Sequence, residues 1–175
     1  MNVQYPDQRV GVFIDIGNMY HSAKNLFNAK LNFGKILETA VGERRLVRAL
    51  AYVVESQTNE EQNFFEALRK QGFEIKSKDL QIFPGGAKKG DWDVGIAIDA
   101  ITIANHLDVV VLVTGDGDFI PLVSFLRNNK GCRVEVIAFE QSASAKLIEE
   151  ADSFLNISDQ SKRYLLKDKF SRSRS

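Results

Sequence analysis

Three aspartates stand where chemistry is easiest to build. Asp15 follows the run Val10–Ile14 within FIDIGN (Phe13–Asn18), and Asp116 and Asp118 follow VVVLV within VTGDGDF (Val113–Phe119). Carboxylates brought together repel: two like charges about 4 Å apart cost roughly 4 kcal/mol at an effective dielectric of about 20. A cluster of them stays ionised only around a cation. Ligands that are all oxygen select hard ions, Mg2+ or Mn2+, over zinc, and no His or Cys spacing competes. Gly115 and Gly117 leave room for backbone near a ligand. An aspartate after a strand is also a natural helix N-cap, and Asp118 before Phe119 suits that use. Capping does not by itself explain why three fall at the same kind of position.

The elements that must position these residues alternate along the chain. Val10–Ile14 is a short, β-branched, buried strand, and Asn18–Phe27 reads as a helix. A second short helix is expected over Phe33–Ala40, closed by Gly42, followed by the strand Leu46–Val54. Asn59, with Gln62 three residues on, is expected to cap the helix that stops at Gly72. A third strand begins at Phe73–Ile75, and FPGGAKKG (Phe83–Gly90) reads as a mobile loop or hairpin. An apolar helix runs from Trp92 to about Ala104, and VVVLV (Val109–Val113) is apolar on both faces, as a central parallel strand must be. A helix over Phe119–Asn129, the strand Val134–Phe139, a helix near Ala143–Ala151 and a last strand at Phe154–Ile157 complete the series.

Such alternation predicts a three-layer α/β sandwich around a mostly parallel sheet. The first strand is then central, and with Val109–Val113 beside it the strand order reverses between them. Ligands bind outside the carboxyl ends of the strands at such a switch point, which is where Asp15, Asp116 and Asp118 fall. Asp93, at the start of the helix after the glycine loop and beside Lys88, Lys89 and Asp91, reads by pattern alone as a cap. Asp99 lies six residues further, about 240° round the helix, so the two cannot share a narrow face.

Composition sets the outer limits. The 175 residues, 44% of them hydrophobic, are enough for one domain with its own core. No apolar run is long enough to span a membrane, and the N-terminus lacks an apolar signal segment, so a cytoplasmic location is expected. Cys132 is the only cysteine, which excludes an intramolecular disulfide and a Cys-based zinc site. The net charge is zero, yet residues 160–175 carry six basic side chains against Asp168 alone, so residues 1–159 are acidic. An acidic body is unlike a non-specific nucleic-acid binder. The division expected is a domain over residues 1–158 and a flexible basic tail over 159–175.

FIDIGN, KGDWDVGIAIDA (Lys89–Ala100) and VTGDGDF, in this order and spacing, resemble the LabA-like branch of the NYN domains, relatives of the PIN nucleases. The resemblance covers roughly residues 8–158. It implies a PIN-like, Rossmann-like three-layer α/β/α sandwich with a mostly parallel sheet of five or six strands, whose acidic pocket binds Mg2+ or Mn2+ and cleaves RNA. By motif, Asp15 matches the first-strand acid and Asn18 its polar partner. Asp93 matches the acid of the lysine–glycine motif, Asp99 a second, supporting acid on that helix, and Asp116 and Asp118 the paired acids after the central strand. Lys89 stands where the family often has a basic residue, and Thr114 stands where serine is common, which keeps the hydroxyl.

The function expected is therefore metal-dependent hydrolysis of RNA phosphodiester bonds. Asp15 and Asp116 would be direct ligands, with Asp93 and Asp118 completing the shell or holding metal-bound waters. Asn18 would orient a ligand carboxylate or contact the phosphate, Thr114 would donate a hydrogen bond there, and Lys88 and Lys89 would hold the substrate backbone. The alternative is a non-catalytic regulatory module that binds RNA or protein while keeping the acidic pocket. A phosphatase of this class would need a second Asp at position 17, which is Gly. RNA is the expected partner; a homodimer and a protein partner on the basic tail are further expectations. His21, on the first helix, reads as packing or exposed and His106 as a helix-end complement to the dipole. Trp92 reads as an anchor of the loop to the core, with stacking on a base as the other use; Tyr20 is read the same way.

Overall fold

A computed structural model describes residues 3–166 apart from residues 57, 87 and 90, and for Lys88 and Lys89 it describes the backbone alone. In chain order the elements are β1 (Arg9–Asp15), α1 (Ile16–Phe27), β2 (Lys30–Leu31), α2 (Phe33–Val41), β3 (Arg45–Glu55), α3 (Asn59–Lys70), β4 (Glu74–Asp79), β5 (Gln81–Ile82), β6 (Lys88–Lys89), α4 (Asp93–Ile103), β7 (Val109–Val113), α5 (Ile120–Lys130), β8 (Arg133–Ala138), α6 (Ala145–Glu150), β9 (Ser153–Asn156), α7 (Ser161–Tyr164) and β10 (Leu165–Leu166). Short 3₁₀ turns cover Ala104–His106, Gly117–Phe119 and Ile157–Gln160.

Six strands form one sheet in the order β4-β3-β1-β7-β8-β9, and every neighbouring pair is parallel. The chain builds outward from β1 through β3 to β4, then returns beside β1 with β7 and builds the other way, so the order reverses between β1 and β7. Alternation along the strands splits the core in two. Val10, Val12, Ile14, Val109, Val111 and Val113 face one layer, where Met19, Ile36, Phe65 and Leu68 of α1–α3 cover them. Phe13, Leu50, Tyr52, Val110 and Leu112 face the other layer, under Ile96, Ala100, Leu122, Val123 and Leu126 of α4 and α5. All five residues of β7 are buried, as a strand with helices on both faces requires.

The helix starts have chemical causes. Asp15 ends β1 and caps α1 at once, so no loop separates them and the helix begins at Ile16, two residues earlier than its apolar spacing indicates. Asn32 and Ser144 cap α2 and α6. The cap of α3 is Thr58, whose hydroxyl oxygen accepts from the Glu61 amide at 3.4 Å, and not Asn59 as expected from the spacing. Pro121 sits in the first turn of α5, where its missing N–H is harmless, and Gly131 closes that helix at φ 65°.

Residues 157–166 cross the expected start of the tail in regular structure, with Ile157 and Tyr164 buried. Tyr164 is 2% exposed, its hydroxyl lies 2.8 Å from the Thr39 hydroxyl, and Leu165–Leu166 pair antiparallel with Lys30–Leu31. The ordered fold thus extends past residue 158, and the end of the tail lies outside the described residues. No helix among the described residues is long and apolar enough to cross a membrane.

Candidate metal centre

The centre is assembled at the carboxyl edge of the sheet from three loops. The first is the β1–α1 junction. Asp15 is half-buried on the face of β1 that also carries Phe13, pointing toward α4 and α5. One carboxylate oxygen accepts from the Asn18 amide at 3.3 Å, and the other lies 3.5 Å from the Thr114 hydroxyl. Burial pushes its pKa above the usual carboxylate value, and repulsion from Asp116 and Asp91 adds to this, against the opposing pull of the Asn18 and Thr114 hydrogen bonds.

The second loop follows β7. Thr114 is 2% exposed; its hydroxyl reaches toward Asp15 and accepts from the Asp116 amide at 3.2 Å, tying the two acidic loops together. The Asn18 side-chain oxygen completes the tie by accepting from the Gly115 amide at 3.0 Å. Asp116 caps the 3₁₀ turn, taking the Asp118 amide at 2.9 Å. The capping use weighed for Asp118 therefore belongs to Asp116, and Asp118 itself projects exposed from the turn. Gly115 and Gly117 are explained by the chain's own backbone. A Cβ on Gly115 would lie 3.0 Å from Ala143 Cα, and one on Gly117 would lie 3.0 Å from the Ser144 side chain. The space expected to admit a ligand is occupied by residues 143–144, and Ser144 donates its amide to the Gly115 carbonyl at 2.9 Å.

The third loop leads into α4. Trp92 precedes the helix and is pinned: its indole N–H donates to the Val53 carbonyl at 2.8 Å and its ring packs on Tyr52 at 5.3 Å between centroids. The anchoring use expected of Trp92 is thus what its contacts provide. It holds Asp93, the first residue of α4, over the other acids. Carboxylate oxygens of Asp93, Asp116 and Asp118 all lie within 4.8 Å of one another. Desolvation, followed by repulsion from Asp116, Asp15, Asp91 and Asp118, pushes the Asp93 carboxyl up to about 7.

Of the four acids expected together, three make this close group. Asp15 lies outside it while still repelling Asp93. Asp99 turns away: its carboxylate accepts from the Tyr52 hydroxyl at 2.8 Å and pairs with Lys76 at 2.9 Å, supporting the α4–β3–β4 contact. Burial, then the bond to Asp99, drives the Tyr52 hydroxyl pKa far up, so it remains a donor. The side chains of Lys88 and Lys89 lie outside the described residues. His21 is exposed against Tyr20, and His106 is exposed at the end of its 3₁₀ turn. Tyr52 and Asp91 are participants that the sequence reading passed over. The sign of Tyr52 was a hydroxyl inside the otherwise apolar run ALAYVV, while Asp91 carried no separate signal.

The donor set suits a hard divalent cation: three carboxylates, no nitrogen or sulfur, and mutual repulsion that adds to the desolvation of Asp93. The chain can be compared with known proteins on this basis. It is 24% identical over 160 residues to the low amplitude and bright protein LabA of Synechococcus elongatus, covering 86% of this chain and 84% of that protein. Its fold matches the crystal structure of a Vibrio parahaemolyticus protein of unknown function with a TM-score of 0.85 and 33% identity, covering 94% of this chain and all of the other. The NYN domain family model matches residues 9–158. Sheet order, acidic edge and motifs agree with that match, and the chain belongs to the NYN domain family.

Proposed function

We propose that this chain is a ribonuclease dependent on Mg2+ or Mn2+, hydrolysing RNA phosphodiester bonds at the Asp93–Asp116–Asp118 cluster. The observation that carries the reading is the mutual 4.8 Å spacing of three carboxylates at a topological switch point of an NYN fold. Unpaired, that spacing adds repulsion to the desolvation that already raises the Asp93 carboxyl. The three acids would hold the cation, which when bound lowers the pKa of a water and offsets charge at the phosphate.

The other residues act by position. Asp15, raised in pKa and adjacent to the cluster, would complete the ligand shell or accept a hydrogen bond from water. Thr114 and Asn18 lock the β1 and β7 loops at a fixed separation, so the spacing of Asp15 and Asp116 does not depend on the substrate. Trp92 and the Tyr52–Asp99 bond fix α4 and hence Asp93. The loop carrying Lys88 and Lys89 would hold the substrate backbone.

The test is cleavage of RNA in Mn2+ by the wild type, Asp116→Asn and Asp15→Asn. Wild-type cleavage that falls to background in Asp116→Asn supports the reading; equal activity in wild type and both variants sinks it. Cation binding without turnover on any RNA tested would leave the non-catalytic RNA- or protein-binding module as the function.

A further inference from the structure

Beside the acids stand two residues that the hydrolytic reading leaves without a role toward substrate. Trp92 is the sole tryptophan and immediately precedes Asp93. Its N–H is taken by Val53, and its ring lies so close to Gly95 that a Cβ there would come within 2.5 Å. Over the ring stands the Lys78 ammonium, 4.8 Å from the centroid. Lys78 makes no ion pair with a carboxylate among the described residues, whereas Lys76, two residues earlier on the same strand, is held by Asp99. The pair thus offers an aromatic face, on the residue next to Asp93, and a cation without a carboxylate partner among the described residues.

Resting on the ribonuclease reading, we propose that Trp92 and Lys78 form a base-stacking subsite. The base of the nucleotide adjoining the one at the acids stacks on the Trp92 face that Lys78 now covers, and the ammonium moves to a phosphate oxygen of the same strand. The exchange leaves no group worse off. The cation leaves a partly exposed ring, where its attraction is weak, for a full negative charge, and the ring gains a base, a stronger partner. A neutral π-face followed by an anionic linkage is what a nucleotide presents, and no unmodified peptide side chain combines the two. Stacking tolerates any base, so the subsite sets where the strand lies without reading its sequence.

Trp92 is its own reporter. A single-stranded RNA octamer is titrated in Ca2+, a hard cation that carboxylate and phosphate oxygens also bind but that activates water far less than Mg2+. Tryptophan emission and the anisotropy of a labelled copy are followed, and the recovered octamer is checked by gel to be intact. The expected result is saturable quenching that tracks anisotropy. Lys78→Glu weakens binding several-fold, Lys78→Ala lowers the slope of log affinity against log salt by about 0.7, and Trp92→Ala weakens binding roughly tenfold. Trp92→Phe, which keeps an aromatic face, retains most of the affinity and guards against misfolding of the alanine variant. Binding by anisotropy with unmoved emission, no binding at all, or Lys78→Glu equal to wild type would each overturn the subsite. RNA cleavage with unmoved emission overturns the subsite alone; quenching without cleavage of any RNA overturns the ribonuclease reading and keeps the subsite.

Discussion

Replacing Asp93 by Asn tests the electrostatics of the acidic edge directly. The Asp93 carboxyl sits at about 7 in the folded protein against an ordinary value of 3.8. Between those values the folded chain holds a proton that the unfolded chain has released, so folding stability falls as pH rises from about 4 to about 7 and stays reduced above. Roughly three pH units at about 1.4 kcal/mol each set a ceiling of ~4 kcal/mol. The carboxylate is partly exposed, and solvent screening brings the effect to about 1–2 kcal/mol. Asp93→Asn removes that cost. In chelator at pH 8 the variant melts higher than wild type by about 2–8 °C, and at pH 4 the two coincide. Saturating Mn2+ reverses the order, because an ion at a hundred times its Kd stabilises the intact site by about 2.7 kcal/mol and the variant has lost a ligand. Differential scanning fluorimetry at both pH values, with and without Mn2+, reads all four states. A melting difference that is the same at pH 4 and pH 8, or a variant less stable in chelator at pH 8, would refute the reasoning.

Two further outcomes follow from packing. Gly115→Ala meets the backbone at Ala143, and Gly117→Ala meets the Cβ and the capping hydroxyl of Ser144, each at 3.0 Å, so both cost about 1–3 kcal/mol; chemical denaturation showing either variant as stable as wild type would contradict the contact geometry. Glu135→Ala removes the carboxylate paired bidentately with Arg44, whose side chain is 1% exposed, leaves that buried charge to the Ala40 and Val41 carbonyls and Gln8, and costs about 3 kcal/mol; a loss under about 1 kcal/mol in the same assay would mean the pair is not buried in solution.

The fold was legible where an element is long and its burial one-sided or complete. VVVLV was delimited to the residue, because five consecutive apolar β-branched or Leu residues between polar flanks have one economical use. The helix α3 was found but its cap was placed one residue late, since Thr58 and Asn59 are both good caps and only backbone geometry chooses between them. The two-residue strands β2, β5, β6 and β10 are too short to leave a period, and β10 pairs with a segment more than a hundred residues away.

The site was legible in part for the same kind of reason. Asp15, Asp116 and Asp118 follow strands, so their common edge could be read from order alone. Whether a carboxylate joins the cluster depends on rotation and tilt, which no spacing records. Asp93 is carried into the group by the Trp92 anchor, Asp15 is drawn instead toward Asn18 and Thr114, and Asp99 toward Tyr52. The glycines were read as room for a ligand because the chain that fills that room, residues 143–144, is nearly thirty positions downstream.

That last contact separates two kinds of information that one short motif carries. In VTGDGDF the glycines answer to the backbone crossing at Ala143 and Ser144, Asp116 caps its own turn, and in the proposed function both aspartates answer to a cation as well. Were the proposed hydrolysis lost in descendants of this sequence, Asp118 would be free to change, while Asp116 would still cap its turn and Gly115 would still be bound to the crossing backbone. Within such a lineage Gly115 and Asp116 mark the shared fold and Asp118 marks retained chemistry, so it is the second acid of the motif that testifies to an active enzyme.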